Sequence, residues 1–382
     1  MRVAIDQLPG SKIREVANAG LGRSDVLPFW FGESDEVTPL LIRDAAAESL
    51  ARGETFYSHN LGLPELREAV ARYASGLHRP VTTERVAVTS SGVTALMLAM
   101  QALAGPGDEV VTVTPVWPNL TAQAQIMGAR VRRIALRPSQ GRWALDLDTL
   151  FAAVTPATRV LLLNAPNNPT GWTLTRDEQR AILAHCRRTG TWIVADEVYE
   201  RLYFGDAAAA PSFLDTAGDD DRLVVVHSFS KSFLMTGWRL GWMVLPRGHL
   251  DAVGKLIEFN TSCAPVFVQR GALAALRIAP GFVPELRRHL QACRDRLVSQ
   301  LAELPGVQVG LPPGGMYAFL RVHGQDDSLA FAKTLVRRHG LGLAPGVAFG
   351  DEGEGWLRWC FASREPQRLD AGVQRLAQAL RL

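Results

Sequence analysis

The chain has only four cysteines, at positions 186, 263, 293 and 360, with no CxxC pair and no histidine at metal-ligand spacing beside them. That excludes a zinc framework and a disulfide scaffold, and leaves buried thiols in a reducing compartment as the expectation. An excess of one charge is lacking too: 41 Lys+Arg against 38 Asp+Glu leave +3 over 382 residues. So dilute a surplus argues against a nucleic-acid or polybasic membrane surface and for a small-molecule partner. No segment is expected to reach the roughly 20 apolar residues of a membrane span. The N-terminus, MRVAIDQLPGSKIREVANAG, carries charges where a signal peptide needs an apolar stretch, so a cytoplasmic location is expected. Internal repeats and low-complexity linkers are missing as well. What is present is a composition, 47% hydrophobic and 21% charged, that suits a large folded core.

Short β-branched runs recur between longer helical stretches: Val86 to Thr89, Val110 to Thr114, Val131 to Leu136, Val160 to Leu163, Trp192 to Ala195, Leu223 to His227 and Leu240 to Leu245. Strands alternating with helices make βα units. Runs such as VLLLN and LVVVH are apolar without alternation, as strands buried on both faces are. An α/β fold follows, with a largely parallel sheet, helices on each side and ligands at the carboxyl ends of the strands. Residues 1–40 read as a loop-rich N-terminal segment packing with the small domain, and 41–275 as the large domain. Residues 276–382 read as a smaller α/β domain, opening on a long Arg-rich helix before strand-like segments at Gly315 to Val322 and Trp356 to Phe361.

The most informative segment is Ser228-Phe-Ser-Lys231-Ser-Phe-Leu-Met-Thr-Gly237-Trp-Arg239-Leu-Gly241. It sets a lysine just beyond a buried strand, where partial desolvation favours the neutral amine that forms Schiff bases. Ala195-Asp196-Glu197-Val198-Tyr199 closes another strand, and Asn164-Ala-Pro-Asn167-Asn168-Pro169-Thr170-Gly171 a third. Ser90-Ser91-Gly92-Val93-Thr94 joins a strand to an apolar helix. A glycine turn feeding a helix N-terminus presents free amides to a phosphate, although in isolation a simple helix cap explains it equally well.

With these motifs the chain resembles the class I/II aminotransferases, fold type I enzymes that use pyridoxal 5′-phosphate (PLP), over nearly all of its length. The resemblance implies a seven-stranded, mostly parallel sheet in the large domain and a homodimer with shared active sites. It implies that Lys231 holds PLP covalently, that Ser228, Arg239, Ser91, Gly92 and Val93 receive the phosphate, and that Trp117 stacks on the ring. Asp196 would hold the ring nitrogen protonated, while Asn168 and Tyr199 meet the ring hydroxyl. Tyr57 would reach the neighbouring subunit's phosphate. Arg358 would clamp the substrate's α-carboxylate, with Gly32, Trp117 and Asn168 beside the substrate. Glu197 is expected to be merely solvated, and His59 and His227 to be structural histidines with no base or metal partner.

The implied activity is ping-pong transfer of an amino group between an L-amino acid and a 2-oxo acid, with the freed Lys231 as general base and acid. A carbon–sulfur β-lyase would use the same cofactor contacts, because fold does not settle reaction type. A non-catalytic ligand-sensing module is a third alternative, but no helix-turn-helix precedes residue 40 and the lysine is intact. Dicarboxylate-specific members can place a second arginine from the partner subunit, in the stretch matching Lys255-Leu-Ile257-Glu-Phe-Asn-Thr261, which has none here. Uncharged substrate side chains are therefore expected, with Phe29, Trp30 and Phe31 near the entrance.

Overall fold

In the computed structural model, which describes residues 1–380, the seven runs form one sheet. Its strands are β1 (Val86–Thr89), β2 (Glu109–Thr114), β3 (Arg130–Ala135), β4 (Thr158–Asn164), β5 (Trp192–Asp196), β6 (Leu223–Ser228) and β7 (Gly241–Val244), in the spatial order β1-β7-β6-β5-β4-β2-β3. All run parallel except β7, which lies antiparallel between β1 and β6. Side chains alternate between two apolar layers. Leu161, Leu163, Ile193, Ala195 and Val225 enter one core, and Val160, Leu162, Val194, Val224 and Val226 another. This is why these strands read as continuous apolar runs: both faces are covered.

The register gathers the chemistry. Asn164 stands opposite Asp196 across β4 and β5, and Gly241, at the start of the reversed strand, stands opposite both Ser228 and Thr89. The carboxyl ends of the parallel strands and the amino end of β7 thus share one edge.

A third core surrounds a smaller sheet of β8 (Val307–Val309), β9 (Tyr317–Val322), β10 (Ala344–Pro345) and β11 (Trp356–Cys360), ordered β8-β9-β11-β10 and antiparallel. The N-terminal segment joins this core through Ile13, Val16, Phe29 and Trp30, and Leu27 pairs with Leu341. It is not only loop: helices span Val3–Asp6 and Lys12–Ala19, the second capped by Ser11.

A helix of 37 residues, Val266–Ala302, runs unbroken through position 275, where the sequence suggests a boundary. Val268, Ala272, Ala275, Ala279 and Val283 pack in the first core; Leu286, Leu290, Cys293, Leu297 and Leu301 pack in the third. By length and composition alone it is apolar enough to cross a membrane, contrary to the expectation that no segment would be. Its apolar residues are instead shared between two protein cores, which demand the same hydrophobicity. Cys186, Cys293 and Cys360 are buried as expected, whereas Cys263 is half-buried.

Candidate active site

A cavity of about 510 Å³ opens at that shared strand edge. It is lined by Gly32, Gly92, Val93, Trp117, Asn168, Asp196, Tyr199, Ser228, Lys231, Arg239 and Arg358, so eleven expected site residues from distant parts of the chain meet in one place.

Lys231 sits in the four-residue helix Phe229–Ser232 immediately after β6. Its Nζ donates to the Gly32 carbonyl at 2.5 Å and lies 5.7 Å from the centre of the Tyr199 ring. Burial, helped by the positive charges of Arg358 and Arg239, lowers its pKa from 10.5 to about 8, so a useful fraction is the neutral amine near neutral pH. Asp196, at the end of β5, is buried with one long hydrogen bond, 3.4 Å from the Val198 amide. Burial pushes its carboxyl up to about 7, the signature of an acid short of a cationic partner. Tyr199 shares a 2.7 Å hydrogen bond with the hydroxyl of Tyr317, and burial raises it well above the usual phenol range.

The other end of the cavity is built from small residues. Ser91 caps the helix Gly92–Leu103 by accepting from the Thr94 amide at 3.0 Å, which leaves the first amides of that helix to the cavity. A Cβ on Gly241 would lie 2.5 Å from the Gly92 nitrogen, and one on Gly92 would lie 3.1 Å from the Ser228 Cβ. Only glycines allow strand and helix terminus to close this far. Ser228 Oγ donates to Ser230 Oγ at 2.9 Å, and Arg239, in the left-handed region at φ 53°, donates to the Thr236 carbonyl at 2.7 Å.

Arg358, on β11, is buried between the rings of Tyr317 and Phe349, 4.5 and 4.9 Å from their centres. One Nη donates to Asn168 Oδ1 at 3.0 Å and the other to the Trp30 carbonyl, while Nε has no partner. The Trp117 amide in turn donates to the Asn168 carbonyl at 2.9 Å.

Tyr317, Ser230, Glu33 and Thr236 also line the cavity and were not singled out from sequence. Ser230 was within reach, two residues from Ser228; Tyr317, in an ordinary strand pattern, carried no local signal. Tyr57 lies outside the cavity and is 89% exposed. Of the three N-terminal aromatics only Phe31 reaches the cavity; Phe29 and Trp30 are buried in the third core.

Two expectations are overturned. Glu197 is not solvated: it is buried, accepting from Ser212 Oγ at 2.5 Å and the Phe213 amide at 3.0 Å. His227 does have a carboxylate beside it, Glu200 at 3.7 Å, and stacks on Trp242. Both residues directly neighbour cavity residues: strand alternation turns His227 into the protein, and Glu197, just past the end of β5, is drawn in by the Ser212 and Phe213 groups it accepts from.

The family described as aminotransferase class I and II matches residues 26–376. An aspartate aminotransferase of Pyrococcus horikoshii is 32% identical over 97% of this chain and 94% of its own length. An arginine–pyruvate transaminase of Pseudomonas aeruginosa is 33% identical over 87% of this chain and 85% of its own. The N-succinyldiaminopimelate aminotransferase structure from Mycobacterium tuberculosis superposes with a TM-score of 0.93 at 28% identity, covering 99% of both chains. With its sheet, its lysine and its buried arginine in place, the chain belongs to the class I and II aminotransferases.

Proposed function

We propose that this aminotransferase works with PLP held on Lys231, in a homodimer, and prefers amino acids with uncharged side chains. The observation that carries the reading is the buried, pKa-lowered Lys231 amine between an under-partnered carboxyl, Asp196, and a guanidinium with a free Nε, Arg358. The donor set fits the cofactor. A pyridinium nitrogen would supply the cation Asp196 lacks. The Gly92 turn with Ser228, Ser230 and Arg239 offers amides, hydroxyls and a planar cation to a phosphate.

When bound, PLP supplies the electron sink that makes the substrate's Cα–H acidic. Asp196 keeps the ring nitrogen protonated, and the Tyr199 hydroxyl and Asn168 amide hold the ring oxygen. Arg358 fixes the substrate carboxylate and so aims the Cα–H at Lys231. Once displaced by the substrate amine, Lys231 Nζ would be the group placed to take up the Cα proton and give it back. Donor and acceptor acids use the same clamp in turn, which is why one site serves both half-reactions.

An activity matrix of amino acids against 2-oxo acids tests this. The helix Leu250–Thr261 lines no part of this chain's cavity and would meet the substrate only from the partner subunit; it has no arginine to offer there, and Glu33 on the cavity wall adds a negative charge. Arg14, exposed over the Phe31 ring, lines the same part of the cavity and is the cation there that could offset Glu33. Leucine, methionine and phenylalanine should therefore exceed aspartate in kcat/KM by about tenfold or more. Aspartate tenfold ahead would overturn the preference, and turnover with no oxo-acid acceptor would overturn the transferase reading.

The dimer is supported by exposed apolar residues that a monomer has no use for: Phe56, Tyr57 and Phe259 are 84%, 89% and 86% exposed. If Tyr57 serves the neighbour's phosphate, Tyr57→Phe and Lys231→Ala, each impaired alone, should regain activity when mixed. The hybrid then owns one site with both residues intact. Full activity in a demonstrably monomeric sample would refute this sharing.

A further inference from the structure

Glu197, Glu200 and His227 each adjoin a cavity residue, namely Asp196, Tyr199 and Ser228, yet none of them lines the cavity. Their donor atoms converge within 4.8 Å of one another, all buried. His78, just past the helix Pro64–Ser75, closes the group from behind with a side chain 2% exposed. Its Nε2 lies 2.9 Å from Glu200 Oε2 and its Nδ1 lies 3.0 Å from Asp215 Oδ1.

A neutral imidazole has one N–H, and an ionised carboxylate only accepts. Hydrogen bonds to two carboxylates therefore require both ring nitrogens to be protonated. Burial alone would lower the pKa of His78, but the hydrogen bonds to Asp215 and Glu200 overcome it and push it from 6.5 up to about 10. The other charged groups around it are Glu197, which accepts from Ser212, then His227, whose pKa burial lowers, Arg201 acting on Glu200, and Arg176 at 3.5 Å from Asp215.

We propose that His78 is a positioning residue whose imidazolium ties the turn after β5 to the Ser212–Asp215 turn, holding Asp196 and Tyr199 where they grip the cofactor. The proposal rests on the PLP reading above. Without His78, the buried Glu200 and the half-buried Asp215 lose the cation that joins them, keeping only Arg201 and Arg176 as nearby positive charge, and taking up a proton on one of them relieves the repulsion. The grip of a His78 variant should then weaken as pH rises and recover as pH falls. In the unaltered protein the sign is fixed by a folded pKa above the unfolded one: the clamp's contribution is full below about 6.5 and is lost as pH rises through about 10.

The test is retention of PLP after gel filtration, read from cofactor absorbance, at about pH 6 and about pH 9. The unaltered holoprotein should retain PLP alike at both. His78→Gln should lose it about tenfold faster than the unaltered protein at the higher pH and much less so at the lower. The double variant His78→Gln/Asp215→Asn removes the repulsion and should restore retention. Loss that is equal at both pH values and unrelieved by Asp215→Asn would overturn the proposal. Should the variants not fold, nitrogen NMR of histidine-labelled holoprotein decides instead: His78 stays doubly protonated to about pH 9 if the proposal holds, and titrates near 6.5 if it fails. An unaltered protein that retains no PLP would refute the cofactor reading, while the NMR result would still stand on its own.

Discussion

Lys231→Ala is expected to abolish amino transfer, lowering turnover by about ten-thousandfold or more, because it removes both the covalent tether and the proton carrier. The rest of the cavity is left standing. Asp196, Ser228, Arg239 and the Gly92 turn belong to other segments or to the backbone around Lys231, so the variant should still take up PLP reversibly. Borohydride treatment of the unaltered protein should fix the cofactor on Lys231 and on none of the other lysines, Lys12, Lys255 and Lys333. The structural reason is the environment: Lys231 alone among them lines the cavity, and burial brings its amine to a pKa of about 8. Peptide mapping that placed the reduced adduct elsewhere would sink the assignment of the whole cluster. So would a Lys231→Ala protein that transfers amino groups within tenfold of the original rate.

The inner strands of the central sheet were legible because they obey one rule, which the exposed, arginine-bearing edge strand β3 does not. Strands covered on both faces must be apolar at every position, and punctuation at their carboxyl ends marks where the backbone leaves the core, which is where Asn164, Asp196 and Ser228 stand. What stayed hidden depends on contacts between remote segments. Tyr317 sits in a strand of the third core, and its ring flanks Arg358 while its hydroxyl meets Tyr199. A Cβ on Gly32 would lie 2.0 Å from that hydroxyl, so the glycine on the cavity wall is explained by a residue almost 300 positions away. Glu197 looked solvated because carboxylates usually are; its burial depends on the hydroxyl and amide that the 212–213 turn brings to it. The long helix Val266–Ala302 defeats a boundary drawn on composition, since one rod can give successive stretches to two cores without any break in its periodicity.

Arg358→Lys is expected to lower kcat/KM by about a hundredfold or more for every amino-acid donor, with cofactor binding unaffected. The guanidinium is held in a fixed plane by the Asn168 amide oxygen, the Trp30 carbonyl and the two flanking rings, and its Nε is left without a partner. Among the described residues no carboxylate lies within salt-bridge distance of it. A buried cation without an anion is costly, and a substrate carboxylate is what relieves that cost. Lysine keeps the charge but loses the fork, giving up one or two charge-assisted hydrogen bonds of about 1.5–3 kcal/mol each. The loss should appear in KM, because the clamp grips the carboxylate in ground state and transition state alike, and in kcat, because the same grip aims the Cα–H at Lys231. A donor lacking the carboxylate, such as the amine matching a good amino-acid substrate, never engages the clamp. Its weak rate should therefore be nearly the same in both proteins. An equal loss on that amine would mean that Arg358 supports the fold of the cavity rather than the substrate, and thermal unfolding of Arg358→Lys would then show a matching fall in Tm.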